Sequence, residues 1–175
     1  MLSLTWNDVD LKQEQLSVNK TVSYIKNPDK PEQKSEHIVT SPKTASSVRI
    51  VPLLPDVTNM LKRISKKQVE HKLKAGSNYK DNNLVFCTSR GTYIPPRTMK
   101  QYLDSIAQRT NIDSLSMHCL RHTFATRCFE KGIEMKVVQE FLGHSSIKMT
   151  ADTYTQVLPS KRTDSIMKLA DTINI

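Results

Sequence analysis

Four polar residues between Met117 and Tyr154 are spaced for chemistry: His118, Arg121, His144 and Tyr154. His118 and Arg121 stand three apart, and on a helix such a pair shares one face. Gly143 follows an apolar helical run and suits a left-handed C-terminal cap, which sets His144 on a sharp turn. Tyr154 follows beyond a second short helical stretch. A guanidinium fork, two imidazoles and a phenol together suit work on an anion. Phosphate is the natural candidate, because the planar fork matches its oxygens two at a time.

His118 and His122 are four apart, which on a helix would also permit a metal pair. Position 119 is Cys rather than Glu, and no third ligand is spaced to close a site. The expectation is therefore no metal and no cofactor.

The blocks HCLRHTFATR from His118, LGHSSIKMT from Leu142 and TYTQV from Thr153 resemble, in type, order and spacing, the catalytic core of the tyrosine recombinases, the phage and conjugative-transposon integrases in particular. Alone, His144 reads as a capping or surface histidine and Tyr154 as a half-buried tyrosine. In this order the four read as a set. The resemblance implies that Tyr154 attacks a DNA phosphodiester and forms a 3′-phosphotyrosyl link. Arg121 and His144 would neutralise charge on the non-bridging oxygens, with His118 a donor or general base. It also implies a catalytic lysine at Lys43, in a Lys-Thr-x-x-Ser-x-Arg setting that runs to Arg49, as general acid toward the leaving 5′-oxygen. Double-stranded DNA is the implied partner, with a tetramer assembled on it. The family's first catalytic arginine is expected just before residue 1, and its core-binding domain before that. A non-catalytic DNA-binding or regulatory fragment is thus the second reading, and a metal-dependent nuclease the third.

The elements that must position these groups give an α+β fold, mainly helical, with a small three-stranded antiparallel sheet near the N-terminus. Alternation marks Gln15–Ile25 as a strand, and His37–Thr40 and Ser47–Leu53 complete the sheet around a tip that carries Lys43. Residues 27–36 read as a polar loop. Pro55 opens a helix running towards Gly76, with Val57, Leu61 and Ile64 as its buried stripe. Leu84–Cys87 reads as a short strand or extended segment, and Ser89–Thr92 as a turn. A helix from Pro95 and Pro96 to about Thr110 turns Met99, Leu103 and Ile106 inward. His122, Phe124 and Cys128 are packing residues of the next helix, and Val137, Val138, Phe141 and Leu142 of the one after. Residues 1–158 form the partial catalytic domain. Beyond the Leu158–Pro159–Ser160 linker, Lys161–Ile175 reads as an amphipathic helix, packed on its own domain or exchanged with a neighbouring protomer to build the oligomer.

A chain of 175 residues, 37% hydrophobic and 25% charged, suits one globular catalytic domain. Its net charge of +9 points to a polyanionic partner. Seven Lys or Arg residues lie between Leu61 and Lys80 against one acid, a solvated face or a DNA-facing one. Arg49, Arg97, Thr98 and Lys100 are candidate DNA contacts, the last three at a helix amino end. No apolar run reaches the roughly 20 residues of a membrane span, and three cysteines without metal-type spacing suit reduced thiols. The expected location is the cytoplasm, on the nucleoid.

Overall fold

The alternation across residues 15–25 does not make one strand. In the computed structural model, which describes residues 3–25, 36–42 and 47–155, it divides at Asn19 and Lys20 into β2 (Gln15–Val18) and β3 (Thr21–Ile25). The division has a local cause. Asp8 is 8% exposed, and its carboxylate accepts from Asn19 Nδ2 at 3.0 Å and from Lys20 Nζ at 2.8 Å. Ser3 Oγ donates to the Lys20 carbonyl at 3.1 Å. Two polar side chains are thus turned toward the buried acid, and the Lys20 backbone oxygen is taken by Ser3.

The sheet pairing differs accordingly. A three-stranded antiparallel sheet is present, in the order β1 (Val9–Asp10), β2 and β5 (Arg49–Pro52). Leu16 faces Val9 on one side and Val51 on the other. The segment expected as the second strand of that sheet, β4 (Glu36–Thr40), instead pairs with β3 in a separate two-stranded ladder, Val22 opposite Val39. Lys43 and residues 161–175 lie outside the described residues, as does most of the 27–36 loop.

The chain divides into two units, residues 1–99 and 100–175. In the first, α1 (Pro55–Ala75) begins with a proline in its first turn and ends at Gly76, as the helix-start and helix-stop residues require. Leu4, Leu61 and Val85 form the core, with Trp6, Leu16, Val57 and Ile64 packed against it. Leu84 makes a single antiparallel bridge to Thr5. Gln68 ties the layers: its amide donates to the Leu84 and Val85 carbonyls at 3.0 and 2.9 Å and accepts from Trp6 Nε1 at 2.8 Å. Those backbone oxygens sit beside buried side chains, where an unpaired one would cost about 1–3 kcal/mol.

Burial pushes the Asp8 carboxyl up, but the hydrogen bonds from Lys20, Thr5 and Asn19 outweigh it and hold it at about 2. A folded pKa below the unfolded value of 3.8 contributes stability that is present above pH 4 and is lost as the pH falls through 2. The contribution is about 2 kcal/mol. Thermal melts of Asp8→Asn and the parent chain between pH 6 and 2 should differ at the upper end and converge at the lower. A constant gap would refute this account of the acid.

The second unit holds the rest of α2 (Pro96–Thr110), α3 (Met117–Glu130), α4 (Met135–Leu142) and α5, helical over residues 147–155. Two inward assignments are corrected. On α2 the buried face runs through Leu103 and Ala107, one turn apart, and Ile106 is exposed. On α3 it runs through Ala125, Cys128 and Phe129, and Phe124 lies to one side of that stripe, 46% exposed. In each helix a small residue, Ala107 or Ala125, takes the interior place that pattern reading gave to a larger one. Ala125, Cys128 and Phe129 of α3 close over Val138 and Leu142 of α4.

Candidate active site

Ser116 starts α3: its hydroxyl accepts from the Cys119 backbone N–H at 3.0 Å, an N-cap. His118 therefore stands in the first turn, exposed to solvent. Arg121 follows one turn later on the same face. Its guanidinium reaches across to α4 and donates to the Leu142 carbonyl at 2.7 Å. Leu142 is the last residue of α4, so the bond satisfies one of the carbonyls that a helix end leaves without a partner. Burial pulls the Arg121 pKa below its ordinary value, yet a guanidinium remains a cation at neutral pH. One of five N–H groups is used there, and the others can meet an anion.

Gly143 then takes the left-handed conformation, φ 65° and ψ 39°, the reason a glycine is needed at this cap. The turn is locked twice by Gln139. Its carbonyl accepts from the His144 N–H at 3.2 Å, and its side-chain amide donates to the His144 carbonyl at 3.1 Å. His144 Nδ1 lies 2.8 Å from Thr150 Oγ1, and Thr150 is fully buried. Arg121 and His144 are thus brought to the same end of α4. Sequence reading missed Thr150, which looks like any polar residue of a short helix. The signal was its place, six residues after His144 and in the first turn of the next helix.

Tyr154 returns to α3, but further along it. Its ring meets Phe129 edge-on, centroids 5.1 Å apart and planes at 79°. It lines a pocket of about 250 Å³ with Phe129, Gly132, Ile133, Glu134 and Met135. Phe129 stands eight residues after Arg121, roughly 12 Å along the helix axis. That pocket is lined by neither Arg121 nor a histidine.

The remaining candidates lie elsewhere. Arg49 is on β5, its guanidinium donating to the Ser47 carbonyl at 3.0 Å. Arg97, Thr98 and Lys100 lie within the first five residues of α2, with Arg97 and Lys100 exposed. Among the described residues no three His, Cys, Asp or Glu gather as a metal ligand set, and no helix is long and apolar enough to cross a membrane.

Comparison with known proteins gives the family and the fold. The Phage integrase family matches residues 1–161. The "Tyrosine recombinase XerC-like" protein of Caldanaerobacter subterraneus subsp. tengcongensis is 36% identical over 175 residues, covering 98% of this chain and 45% of its own length. The ICEBs1 integrase of Bacillus subtilis is 24% identical over 171 residues, covering 98% of this chain and 44% of that protein. The chain thus spans a little under half the length of these relatives. The Tn1549 transposon integrase, solved in complex with transposon right end DNA, shares the fold with a TM-score of 0.69 at 22% identity, over 93% of this chain and 52% of that one.

Proposed function

Since the chain belongs to the Phage integrase family, we propose that it carries the strand-transfer chemistry of a tyrosine recombinase that integrates and excises a mobile element. The observation that carries this reading is the end of α4, where a half-buried guanidinium is held on the Leu142 carbonyl and a histidine follows the left-handed turn two residues on. Such a pair matches a phosphodiester, whose attack builds negative charge on the non-bridging oxygens. Arg121 neutralises that charge with its remaining N–H groups, and His144 donates one further hydrogen bond. Tyr154 Oη attacks phosphorus, and the bond to the 5′-oxygen breaks. The phenolic proton passes to His118 as base, and the leaving oxygen takes a proton from Lys43. The 3′-phosphotyrosyl link conserves the phosphodiester's energy, so a 5′-hydroxyl can reverse the step without ATP or metal.

In this reading Tyr154 leaves Phe129 when DNA binds, and the basic residues of α1 and the first turn of α2 track the backbone. Duplex DNA in the cytoplasm is the substrate, and a tetramer joined through the C-terminal segment is the working assembly. The second reading, DNA binding without cleavage, is favoured by the lodging of Tyr154 on Phe129.

A nicked suicide duplex separates them. The protein, expressed from its complete reading frame, is incubated with the duplex in chelator, and adducts are resolved in detergent and mapped by mass spectrometry. A DNA-linked peptide containing Tyr154 is the expected product. Retained DNA with no adduct would leave the second reading, and adduct-free cleavage that needs a divalent ion would leave a metal nuclease.

A further inference from the structure

The contact between α5 and the His144 turn has a chemical direction. An imidazole has two nitrogens, and the partner of one decides what the other can do. Here Nδ1 faces the Thr150 hydroxyl at 2.8 Å, and that hydroxyl belongs to a side chain with no solvent exposure. A buried hydroxyl must keep its hydrogen bond or lose stability, so the pairing is strongly held. The turn offers the ring little freedom besides, since Gln139 bonds both the N–H and the carbonyl of His144. Thr150 also stands four residues before Tyr154 on α5, a spacing that puts both on one helix face.

We infer that Thr150 is a positioning residue for the strand-transfer reaction: its hydroxyl donates to His144 Nδ1, which leaves the proton on Nε2, the N–H that a phosphate oxygen would accept from. The opposite tautomer would present Nε2 to the phosphate as a lone pair, facing negative charge. A hydroxyl suits the task better than a carboxylate, which only accepts when ionised and would draw the proton onto Nδ1. The same helix therefore carries the nucleophile and the group that sets the protonation of its partner. The inference rests on the proposed role of His144 as a phosphate donor.

Two measurements test it, and the first needs no catalysis. Long-range nitrogen–proton spectra of the chain labelled with ¹⁵N-histidine should show His144 protonated on Nε2 when neutral. Thr150→Val, nearly the same shape without the hydroxyl, should lose that tautomer preference, and Thr150→Ser should keep it. A parent spectrum showing the proton on Nδ1, or a valine variant with an unaltered spectrum, would overturn the inference whatever the protein does to DNA. The second measurement is single-turnover adduct formation on the nicked duplex. Thr150→Val should slow it about tenfold at unchanged DNA affinity, with serine restoring the rate. A valine variant as fast as the parent would overturn the positioning role. Should the parent itself form no adduct, the strand-transfer reading fails on its own, and the spectra still decide how Thr150 sets the ring.

Discussion

Tyr154→Phe is expected to bring phosphotyrosyl adduct formation below detection while leaving the fold and DNA affinity close to those of the parent. One oxygen is removed, and it is the only atom of that side chain that can bond to phosphorus. What the ring does for the structure is retained. The edge-on meeting with Phe129 at 5.1 Å and the packing on the α3–α4 core need the aromatic ring and not its hydroxyl. The melting temperature should therefore stay within about 2 °C of the parent's, as for substitutions that leave packing intact. Affinity for duplex DNA should change less than about twofold, because Lys and Arg contacts to phosphates dominate it. Gel-resolved adduct, circular dichroism melts and fluorescence anisotropy read the three quantities. Adduct formed at the parent rate would move the nucleophile to another residue.

Phe129→Ala should have the largest effect on stability. Phe129 is 1% exposed and sits where Ala125, Cys128, Val138, Leu142, Met135 and Tyr154 converge. Truncating a buried phenylalanine to alanine costs about 3–5 kcal/mol, because transfer energy is lost and the cavity fills only in part. For a unit of this size the melting temperature should fall by more than about 10 °C. Hydrogen exchange should localise the damage: amides of α3 and α4 lose protection, and those pairing β2 with β5 keep it. A loss below about 1 kcal/mol would mean that Met135 and Tyr154 collapse into the space, and that Phe129 is not what holds the hairpin of helices together.

The helical half of the molecule was legible in the sequence because its signals are local. Pro55, Gly76 and Gly143 announce helix ends by backbone geometry alone, and the left-handed cap before His144 follows from a glycine after an apolar run. The sheet was less legible because its partners are distant. Val9–Asp10 is too short to show a period, and the break at Asn19 and Lys20 depends on an acid eleven residues earlier. His118, Arg121, His144 and Tyr154 could be picked out by type and order. Where Tyr154 rests could not, since spacing carries no information about whether a ring lies on Phe129 or beside a guanidinium one helix half-length away. Thr150 was hidden for a related reason: its partner is chosen by the turn at Gly143, and no pattern of apolar residues marks it.

The bond from Arg121 to the Leu142 carbonyl ties charge and architecture into one side chain. A cation that also fastens the end of a neighbouring helix cannot drift when its anion is absent, so its orientation is settled before any encounter. The same economy makes the position unforgiving. Lysine brings a point charge that can serve the carbonyl or the anion but has no rigid fork to span both, and a neutral residue forfeits both duties at once. Loss of the guanidinium would therefore leave the Leu142 carbonyl without this donor as well as removing the charge.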